Sequence, residues 1–275
     1  METAEAYLQS GDLEKSLAEL KKGIRNHPEK ADLRIFLFQL FSVLGQWERA
    51  MTQLNIAAEM DSSVLLMAQV YRPALNCEEL RKKIFQGNRT PLSFGEPLDW
   101  MVWLMQIPGL LAAGQCKEAV GMRDKAFDAA PPVSGQIDGH PFNWIADADE
   151  RLGPLLEAII NGKYYWIPFN RIQKIQIQKP VNLRDVIWAP ADFTWANNGQ
   201  AAGLIPTRYP GSDTEKDSAL KLGRKTEWRD MGENLFVGLG QRMLATDQGE
   251  YPLLDIREVT LNQPDRASKE NLTHG

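Results

Sequence analysis

Two patterns of apolar residues divide the chain near residue 164. In the first half, residues 33–41 read Leu-Arg-Ile-Phe-Leu-Phe-Gln-Leu-Phe, which is too dense in apolar side chains for a surface helix and predicts a helix covered on several sides. After residue 164, short runs alternate, with Ile175 and Ile177 beside Gln176 and Gln178, which is the period of a half-buried strand. We therefore predict a multi-domain α and β protein, helical first and β-rich second.

A turn followed by a helix recurs at a spacing of 34 residues in the first half. Each copy has a glycine, a small residue and a leucine in order; they are Gly11, Ser16 and Leu20 in one copy and Gly45, Ala50 and Leu54 in the next. Gly114 opens a third, shifted copy. This is the period of tetratricopeptide (TPR) repeats, whose stacked helix pairs leave a concave groove. The spacing favours a TPR-like α-solenoid over a generic helical bundle.

Short runs rich in aromatic and β-branched residues fill the second half between Pro, Gly and Asn turns. They lie at residues 164–167, 172–177, 193–196, 201–205, 226–230, 236–239, 242–246 and 251–255, with a short helical turn expected at 182–186. Asn197, Asn198 and Gly199 form a hairpin signal, since Asn and Gly tolerate positive φ. Regular short strands predict an antiparallel sheet curled into a barrel-like domain.

Four segments follow from these patterns. Residues 1–146 form the TPR-like helical domain, and residues 164–262 form the β-rich domain. Between them, residues 147–163 are predicted as a connecting helical segment, because Asp147 and Glu150 have the spacing of a capping box that would open a helix at 155–160 or one slightly earlier. Residues 263–275 lack apolar content and are expected to be a disordered tail.

Charge and composition narrow the classes of partner. Residues 1–150 carry 15 Lys and Arg against 21 Asp and Glu, and residues 151–275 carry 16 against 15, so neither half has the basic excess that nucleic-acid binding requires. No signal peptide and no run of about 18 apolar residues occurs, which predicts a cytoplasmic protein without membrane insertion. Cys77 and Cys116 are too few and too isolated for a disulfide framework or zinc site.

No set of side chains suggests catalysis, a metal or a cofactor. His27, His140 and His274 each stand alone in the sequence. The acidic cluster at residues 147–150 lacks the glycine and the distal glutamate of a calcium loop, and helix capping is the simpler interpretation. We therefore predict a non-enzymatic protein without catalytic residues, metal ligands or cofactors.

The sequence is also compatible with two other functions. One is an enzyme or small-molecule-binding protein with a site in the β domain, formed by Asp192, Trp195, Arg208 and Tyr209 in a cleft. The other is a scaffold that dimerises through the groove. Because Trp188, Trp195 and Arg208 stand beside Pro and Gly turns, we expect these three to be structural first.

The groove of a helical solenoid suits an amphipathic helix from a protein partner. If Ala31 and Trp100 begin the first helices of their repeats, the groove-facing positions are on these two helices. The predicted partner-binding residues are Asp32, Ile35, Gln39, Ser42, Met101 and Leu104. The net charge of −6 in residues 1–150 favours a partner segment that bears Lys or Arg.

Ordered strings along nearly the whole chain resemble one known family. They include Trp-Ile-Ala-Asp-Ala-Asp-Glu-Arg-Leu-Gly-Pro at 144–154, Asn-Gly-Lys-Tyr-Tyr-Trp-Ile-Pro-Phe at 161–169, Leu-Arg-Asp-Val-Ile-Trp-Ala-Pro at 183–190 and Ile-Pro-Thr-Arg-Tyr-Pro-Gly-Ser at 205–212. Together with Gly-Leu-Gly-Gln-Arg at 238–242, they resemble the ImpE family, also called SciE or TagJ. The resemblance runs from about residue 5 to residue 261.

The resemblance implies an accessory, non-catalytic adaptor of bacterial type VI secretion, which is a virulence apparatus. Members of the family look like adaptors that contact the N-terminal helix of the small sheath subunit, named TssB or VipA. They are linked to ClpV, the unfoldase that recycles contracted sheath. The family offers no catalytic residues to carry over to this sequence.

Overall fold

A computed structural model describes residues 2–263 of the chain. The predicted tail from residue 264 onward therefore lies outside the described residues. Seven of the eight described α-helices precede residue 130. They are α1 (Glu2–Gln9), α2 (Leu13–Asn26), α3 (Ala31–Val43), α4 (Trp47–Met60), α5 (Leu65–Phe85), α6 (Asp99–Ala112) and α7 (Cys116–Ala129), followed far along the chain by α8 (Ser218–Lys221).

The sequence repeat is also a repeat of structure. Helices α2 and α4 are both 14 residues long, and each follows a glycine with positive φ, Gly11 at 83° and Gly45 at 65°. The small residues Ser16 and Ala50 are both fully buried, which lets the neighbouring helices approach closely. Helix α7 has the same length and follows Gly114, whose φ is 72°. The predicted turn-and-helix unit is confirmed at all three places.

Fourteen strands occur among the described residues, in three sheets. They are β1 (Leu92–Ser93), β2 (Gly135–Ile137), β3 (His140–Phe142), β4 (Ile145–Asp147), β5 (Leu155–Ile160), β6 (Lys163–Pro168), β7 (Ile172–Ile177), β8 (Trp188–Trp195), β9 (Gln200–Pro206), β10 (Thr226–Asp230), β11 (Phe236–Gly240), β12 (Met243–Thr246), β13 (Gly249–Pro252) and β14 (Glu258–Leu261). The large sheet has the order β1-β6-β5-β9-β8-β7-β14-β2-β3, and the small ones are β10-β11 and β13-β12-β4.

The β-rich second half is confirmed, but the barrel prediction is wrong. In the nine-stranded sheet β1 and β3 form the two edges and do not pair with each other, so the sheet is open. Strand β1 comes from between the helices and pairs with β6 in parallel, whereas the other pairs in this sheet are antiparallel. The large sheet is therefore mixed, and it recruits one short strand from the helical half.

The predicted helix at residues 155–160 is wrong, because this segment is strand β5. It forms a hairpin with β6, and the turn residues Asn161 and Gly162 both have positive φ, at 50° and 73°. Asn-Gly is the favoured sequence for such a two-residue turn. Every residue of β5 is buried, so its apolar run reflects a strand covered on both faces and not a helix. Short strands also begin at residue 135, earlier than expected.

Two apolar clusters lie on opposite faces of the central strands. Along β5, Leu155 and Ile159 belong to the cluster that includes the helices, whereas Leu156, Ala158 and Ile160 belong to the cluster formed with the other β segments. This alternation is the period of two expected for a strand. The helical layer therefore packs directly onto one face of the large sheet, and the two halves share a core.

Candidate functional site

The protein's own chain fills part of the predicted groove. A short helical turn at Leu183–Val186, in the position expected from the sequence, lies on α3, where the backbone N–H of Arg184 donates to Gln39 Oε1 at 3.0 Å. The guanidinium of Arg184 stands 5.2 Å from the ring centre of Tyr71 on α5. This turn therefore covers the part of α3 around Gln39 that the sequence assigned to a partner, together with the neighbouring part of α5.

Four of the six predicted partner-binding residues lie in the interior. Gln39 and Ser42 are buried under the second half of the chain, and Ser42 Oγ donates to Phe38 O at 2.9 Å. Met101 and Leu104 are fully buried in the helical core. The expectation that these four line an open groove is therefore corrected, because they are packed inside the protein around α3 and α6. Their binding of a partner stays a prediction.

Asp32 and Ile35 have a different position from the other four. Both lie on the first two turns of α3, before the covered part, and Asp32 is exposed while Ile35 is half-buried against the core. The predicted site is therefore reduced to one end of α3. Partner binding by Asp32 and Ile35 stays a prediction.

A buried polar network joins the helical layer to the sheet. Arg81 on α5 donates to Glu157 on β5 through two nitrogens, at 2.5 and 2.9 Å, and to the carbonyl of Arg208 at 2.7 Å. Glu157 also contacts Arg242, which continues the network to Asp147. The side chains of Arg242, Asp147 and Glu157 are at most 2% exposed. Each of these charges is therefore stabilised by its ion-pair and hydrogen-bond partners instead of by water.

Ionisation of Glu157 is stabilised by its neighbours. Burial alone would raise the pKa of Glu157, but Arg81 and Arg242 outweigh burial and lower the pKa to about 2. The hydroxyl of Tyr164 donates to the same carboxylate, and Trp166 Nε1 donates to Tyr164 Oη at 2.7 Å. The carboxylate is thus held by two cations and one hydroxyl, which is the arrangement of a structural ion cluster.

The pKa of Asp147, in the same network, is shifted in the opposite direction to that of Glu157. Burial raises the pKa of Asp147 to about 6, although Arg242 opposes the shift. Its Oδ1 accepts from Tyr209 Oη at 3.0 Å and from the backbone N–H of Asp149. The sequence predicted Asp147 as a helix N-cap; that prediction is wrong, because β4 ends at Asp147 and its carboxylate pairs with Arg242.

Arg208 ties the second half to the end of α3. Its NH1 donates to Val43 O at 2.9 Å and its NH2 is 3.3 Å from Ser42 O. These carbonyls belong to the last turn of α3, whose C=O groups lack partners within the helix. Burial lowers the pKa of Arg208 to about 10, and the side chain is used entirely in holding the chain together.

The four residues of the alternative enzyme site do not meet. Trp188 at the start of β8 pairs with Pro206, close to Arg208 and Tyr209, whereas Trp195 ends the same strand seven residues later. At about 3.3 Å per residue, the two ends are roughly 23 Å apart. Asp192 is exposed on β8, and Trp195 packs between Phe94 and Phe193. They form no common cleft.

A cleft of about 250 Å³ opens where the helices meet the second half. Its walls are charged and aromatic: Trp47, Glu78, Arg81, Lys82, Phe85, Gln86, Arg151, Pro210, Gly211, Asp213 and Thr214. Two guanidinium groups lie near the ring of Phe85, with Arg151 at 4.7 Å and Arg81 at 5.8 Å from its centre. Arg151 also forms a bidentate pair with Asp149, and Glu78 pairs with Arg81.

Among residues 2–263, no group of three or more His, Cys, Asp or Glu is placed to hold a metal ion. In the acidic cluster at 147–150, Asp149 pairs with Arg151 and Glu150 pairs with Arg123. Both cysteines are unpaired thiols, and burial raises the pKa of Cys77 to about 12. No helix in this part of the chain is long and apolar enough to cross a membrane.

Apart from Asp147, the residues that form the network were not predicted from the sequence. Glu157 could have been noticed, because a lone glutamate inside the apolar run Leu-Leu-Glu-Ala-Ile-Ile must either be exposed or have a buried partner. Glu78 and Arg81, three residues apart on α5, carry the spacing of an intrahelical ion pair. Arg242 gave no comparable signal, because its partners Asp147 and Glu157 are about 90 residues away in the sequence.

Comparison with known proteins identifies the class of this helix-and-sheet protein. The ImpE family profile, described as ImpE protein, matches residues 139–260, and the chain belongs to this family. It is 45% identical over 262 residues to the "Type VI secretion system accessory component TagJ" of Pseudomonas aeruginosa strain PAO1, a match that covers 95% of this chain and 92% of that protein.

A solved structure shares the fold. The crystal structure of Protein VPA1032 from Vibrio parahaemolyticus superimposes with a TM-score of 0.88, and the match covers 97% of this chain and all of that one. The two sequences are 22% identical, so the likeness establishes the arrangement of helices and sheets and nothing about function.

Proposed function

We propose that this protein is a non-enzymatic accessory component of a type VI secretion system that acts in the cytoplasm. The observation that carries the proposal is the 45% identity to the accessory component TagJ, which extends over 95% of the chain. The side chains that could have suggested chemistry have structural uses instead. Arg208 holds the end of α3, and Tyr209 binds Asp147.

The partner in this proposal is the N-terminal helix of the small sheath subunit, TssB or VipA, with a link to the ClpV unfoldase. The family resemblance suggests this partner. The excess of acidic residues in the first half suits a helix bearing Lys or Arg. A single docked helix buries modest area and loses conformational freedom, so a dissociation constant near micromolar, about −8 kcal/mol, is expected.

The helical layer is, in this proposal, a TPR-like solenoid that presents the partner surface. The 34-residue offset between α2 and α4 and the buried small residues Ser16 and Ala50 support it. Because the second half covers the middle of α3, the contact would use the uncovered end of that helix, with Asp32 and Ile35.

Calorimetry with the full-length protein tests the proposal. The titrant is a synthetic peptide that spans the N-terminal helix of the small sheath subunit encoded beside this protein, and a scrambled peptide of equal composition is the control. Saturable one-to-one binding of the native peptide alone supports the adaptor function. If neither peptide binds, and the intact small sheath subunit also fails to co-purify with the protein, the proposed partner is wrong.

A further inference from the structure

The two most exposed large apolar residues of the helical half, Leu66 and Val70, lie on the first turns of α5. Leu66 is 75% exposed, Val70 is 50% exposed and Leu65 is 45% exposed. Leu66 and Val70 are four residues apart, which places them on one side of the helix. Met60, at the end of α4, adds a further exposed apolar side chain just before this segment. Such a group of large apolar side chains on one helix surface is typical of an interaction site.

This apolar segment continues the uncovered end of α3. The rings of Phe38 on α3 and Tyr71 on α5 lie 6.0 Å apart, so the two helices are neighbours. With the 34-residue period of the repeat, Leu66 is the position equivalent to Asp32. Asp32 on α3 and Leu66 on α5 are therefore exposed at the same position of the repeat. Both precede the parts of these helices that the turn at Leu183–Val186 covers.

Acidic residues surround this surface. Asp32 is exposed on α3, and Glu59 and Asp61 are exposed beside the start of α5. The two nearby arginines are turned toward α4, where Arg34 donates to Gln53 and Arg72 donates to Asn55. Lys30 is exposed at the N-cap of α3, close to Asp32 in the sequence, so three exposed carboxylates stand against one exposed lysine. The border is therefore predominantly negative, which favours a partner with basic residues on either side of its apolar contact.

We propose that the surface formed by Asp32, Ile35, Leu66 and Val70, here termed the α3–α5 surface, binds one amphipathic helix whose apolar stripe is flanked by Lys or Arg. A strand would gain little here, because the main-chain groups of α3 and α5 are used within the helices. A helix can place apolar side chains between Ile35, Leu66 and Val70. This inference rests on the proposed function and specifies where that partner binds.

The test compares two valine substitutions in the full-length protein. Val70→Asp introduces a charge into the α3–α5 surface, whereas Val102→Asp introduces the same charge at a 41% exposed position on α6, outside this surface. The probe is a fluorescent peptide spanning the N-terminal helix of the small sheath subunit, and binding is followed by anisotropy. We expect Val70→Asp to weaken binding at least tenfold and Val102→Asp to change it less than twofold, with unchanged circular dichroism for both.

The outcomes distinguish an error in the proposed α3–α5 surface from an error in the proposed adaptor function. If the peptide binds wild type and Val70→Asp equally well, the α3–α5 surface is wrong and the adaptor function stands. If the peptide does not bind wild type, the inference fails, and the proposed partner fails with it when the intact small sheath subunit also does not co-purify. Sedimentation of the protein alone provides a further check, since a wild-type dimer that Val70→Asp converts to monomer would assign this surface to a second copy of the chain and overturn the inference.

Discussion

The indole nitrogen of Trp188 donates a hydrogen bond to Glu78 Oε1 at 2.9 Å, which joins the first strand residue of β8 to the middle of α5. Both side chains are buried, and burial raises the pKa of Glu78 even though Arg81 opposes the shift. The Trp188 ring also packs against Tyr71, with ring centres 5.7 Å apart. One tryptophan therefore contributes apolar packing and a polar bond to the contact between helices and sheet.

Truncation of this tryptophan tests its structural role. We expect Trp188→Ala to lower the free energy of unfolding by about 3–5 kcal/mol, because it removes a fully buried ring and leaves Glu78 Oε1 without its indole donor. Trp188→Phe keeps much of the ring and loses the donor, so a smaller loss of about 1–3 kcal/mol is expected. Urea unfolding measures both. A Trp188→Ala protein of unchanged stability that no longer bound the peptide would assign the residue to partner recognition instead.

The ionisation of Glu157 should make the free energy of unfolding depend on pH. The pKa of Glu157 is about 2 in the folded protein, against an ordinary value of 4.5, because Arg81 and Arg242 outweigh the effect of burial. A lowered pKa means that the ionised group contributes its full stabilisation above about pH 4.5 and loses it as the pH falls toward 2. The difference corresponds to about 3 kcal/mol.

The measurement compares wild type with Glu157→Gln by urea unfolding between about pH 7 and pH 3. At neutral pH the variant should be less stable by about 3–5 kcal/mol, since Arg81 and Arg242 lose a buried counter-charge. That difference should stay constant down to about pH 5 and narrow below pH 4.5. A difference that is the same at pH 3 as at pH 7 would contradict the lowered pKa of Glu157.

The helical repeat could be predicted from the sequence because its signals are local. Gly11 and Gly45 mark turns with positive φ, and the small residues that follow at the same spacing mark close helix contacts. The Asn197–Gly199 turn is equally local, with Asn198 at a φ of 67° between β8 and β9. In each case, a few adjacent residues determine the backbone without help from the rest of the chain.

Features that depend on distant parts of the chain could not be predicted in this way. The capping-box spacing of Asp147 and Glu150 predicts a helix at residues 155–160, but the six-residue apolar run there carries no clear period, and pairing with β6 and β9 makes it a strand. Met101 and Leu104 were assigned to a groove because apolar residues on a helix look alike in sequence whether they face a partner or the core. In both cases, contacts with residues distant in the sequence determine the structure.

Two equivalent glycines provide a test of how the second half packs on the helices. Gly45 and Gly114 open the second and third copies of the repeat with similar φ, 65° and 72°. A Cβ on Gly45 would clash with the carboxylate of Asp213, whereas a Cβ on Gly114 would meet nothing within 4 Å. Both substitutions to Ala cost about 1–2 kcal/mol in backbone strain.

Gly45→Ala should therefore cost more than Gly114→Ala, by about 1–3 kcal/mol, because Asp213 has to move. Thermal unfolding followed by circular dichroism at 222 nm measures the difference. Equal losses in the two variants would indicate that the segment around Asp213 does not pack against the turn at Gly45 in solution.

Substitutions on α6 test the correction to the predicted groove. Leu104 is fully buried, whereas Val102 on the same helix is 41% exposed. Leu104→Asp buries a charge without a partner and should cost about 4 kcal/mol or more, enough to prevent cooperative unfolding in a marginally stable protein. Val102→Asp should change stability by less than about 1 kcal/mol. If Leu104→Asp folds normally and loses only peptide binding, Leu104 faces a partner after all.

Charge reversal at Asp32 tests whether the acidic border of the α3–α5 surface attracts a basic helix. Asp32→Lys replaces an exposed carboxylate in the first turn of α3, which should cost the fold less than about 1 kcal/mol. Asp128→Lys makes the same change of net charge at an exposed position of α7. If attraction is local, Asp32→Lys weakens peptide binding several-fold near 50 mM salt, and Asp128→Lys has little effect.

Raising the salt should reduce the difference between the two variants, because screening weakens interactions between exposed charges. Anisotropy titrations of wild type, Asp32→Lys and Asp128→Lys near 50 mM and 500 mM salt measure this directly. A loss that is equal for Asp32→Lys and Asp128→Lys would show that only the net charge matters. A loss specific to Asp32→Lys that persists undiminished at high salt would indicate that Asp32 contacts the partner by packing or a short hydrogen bond.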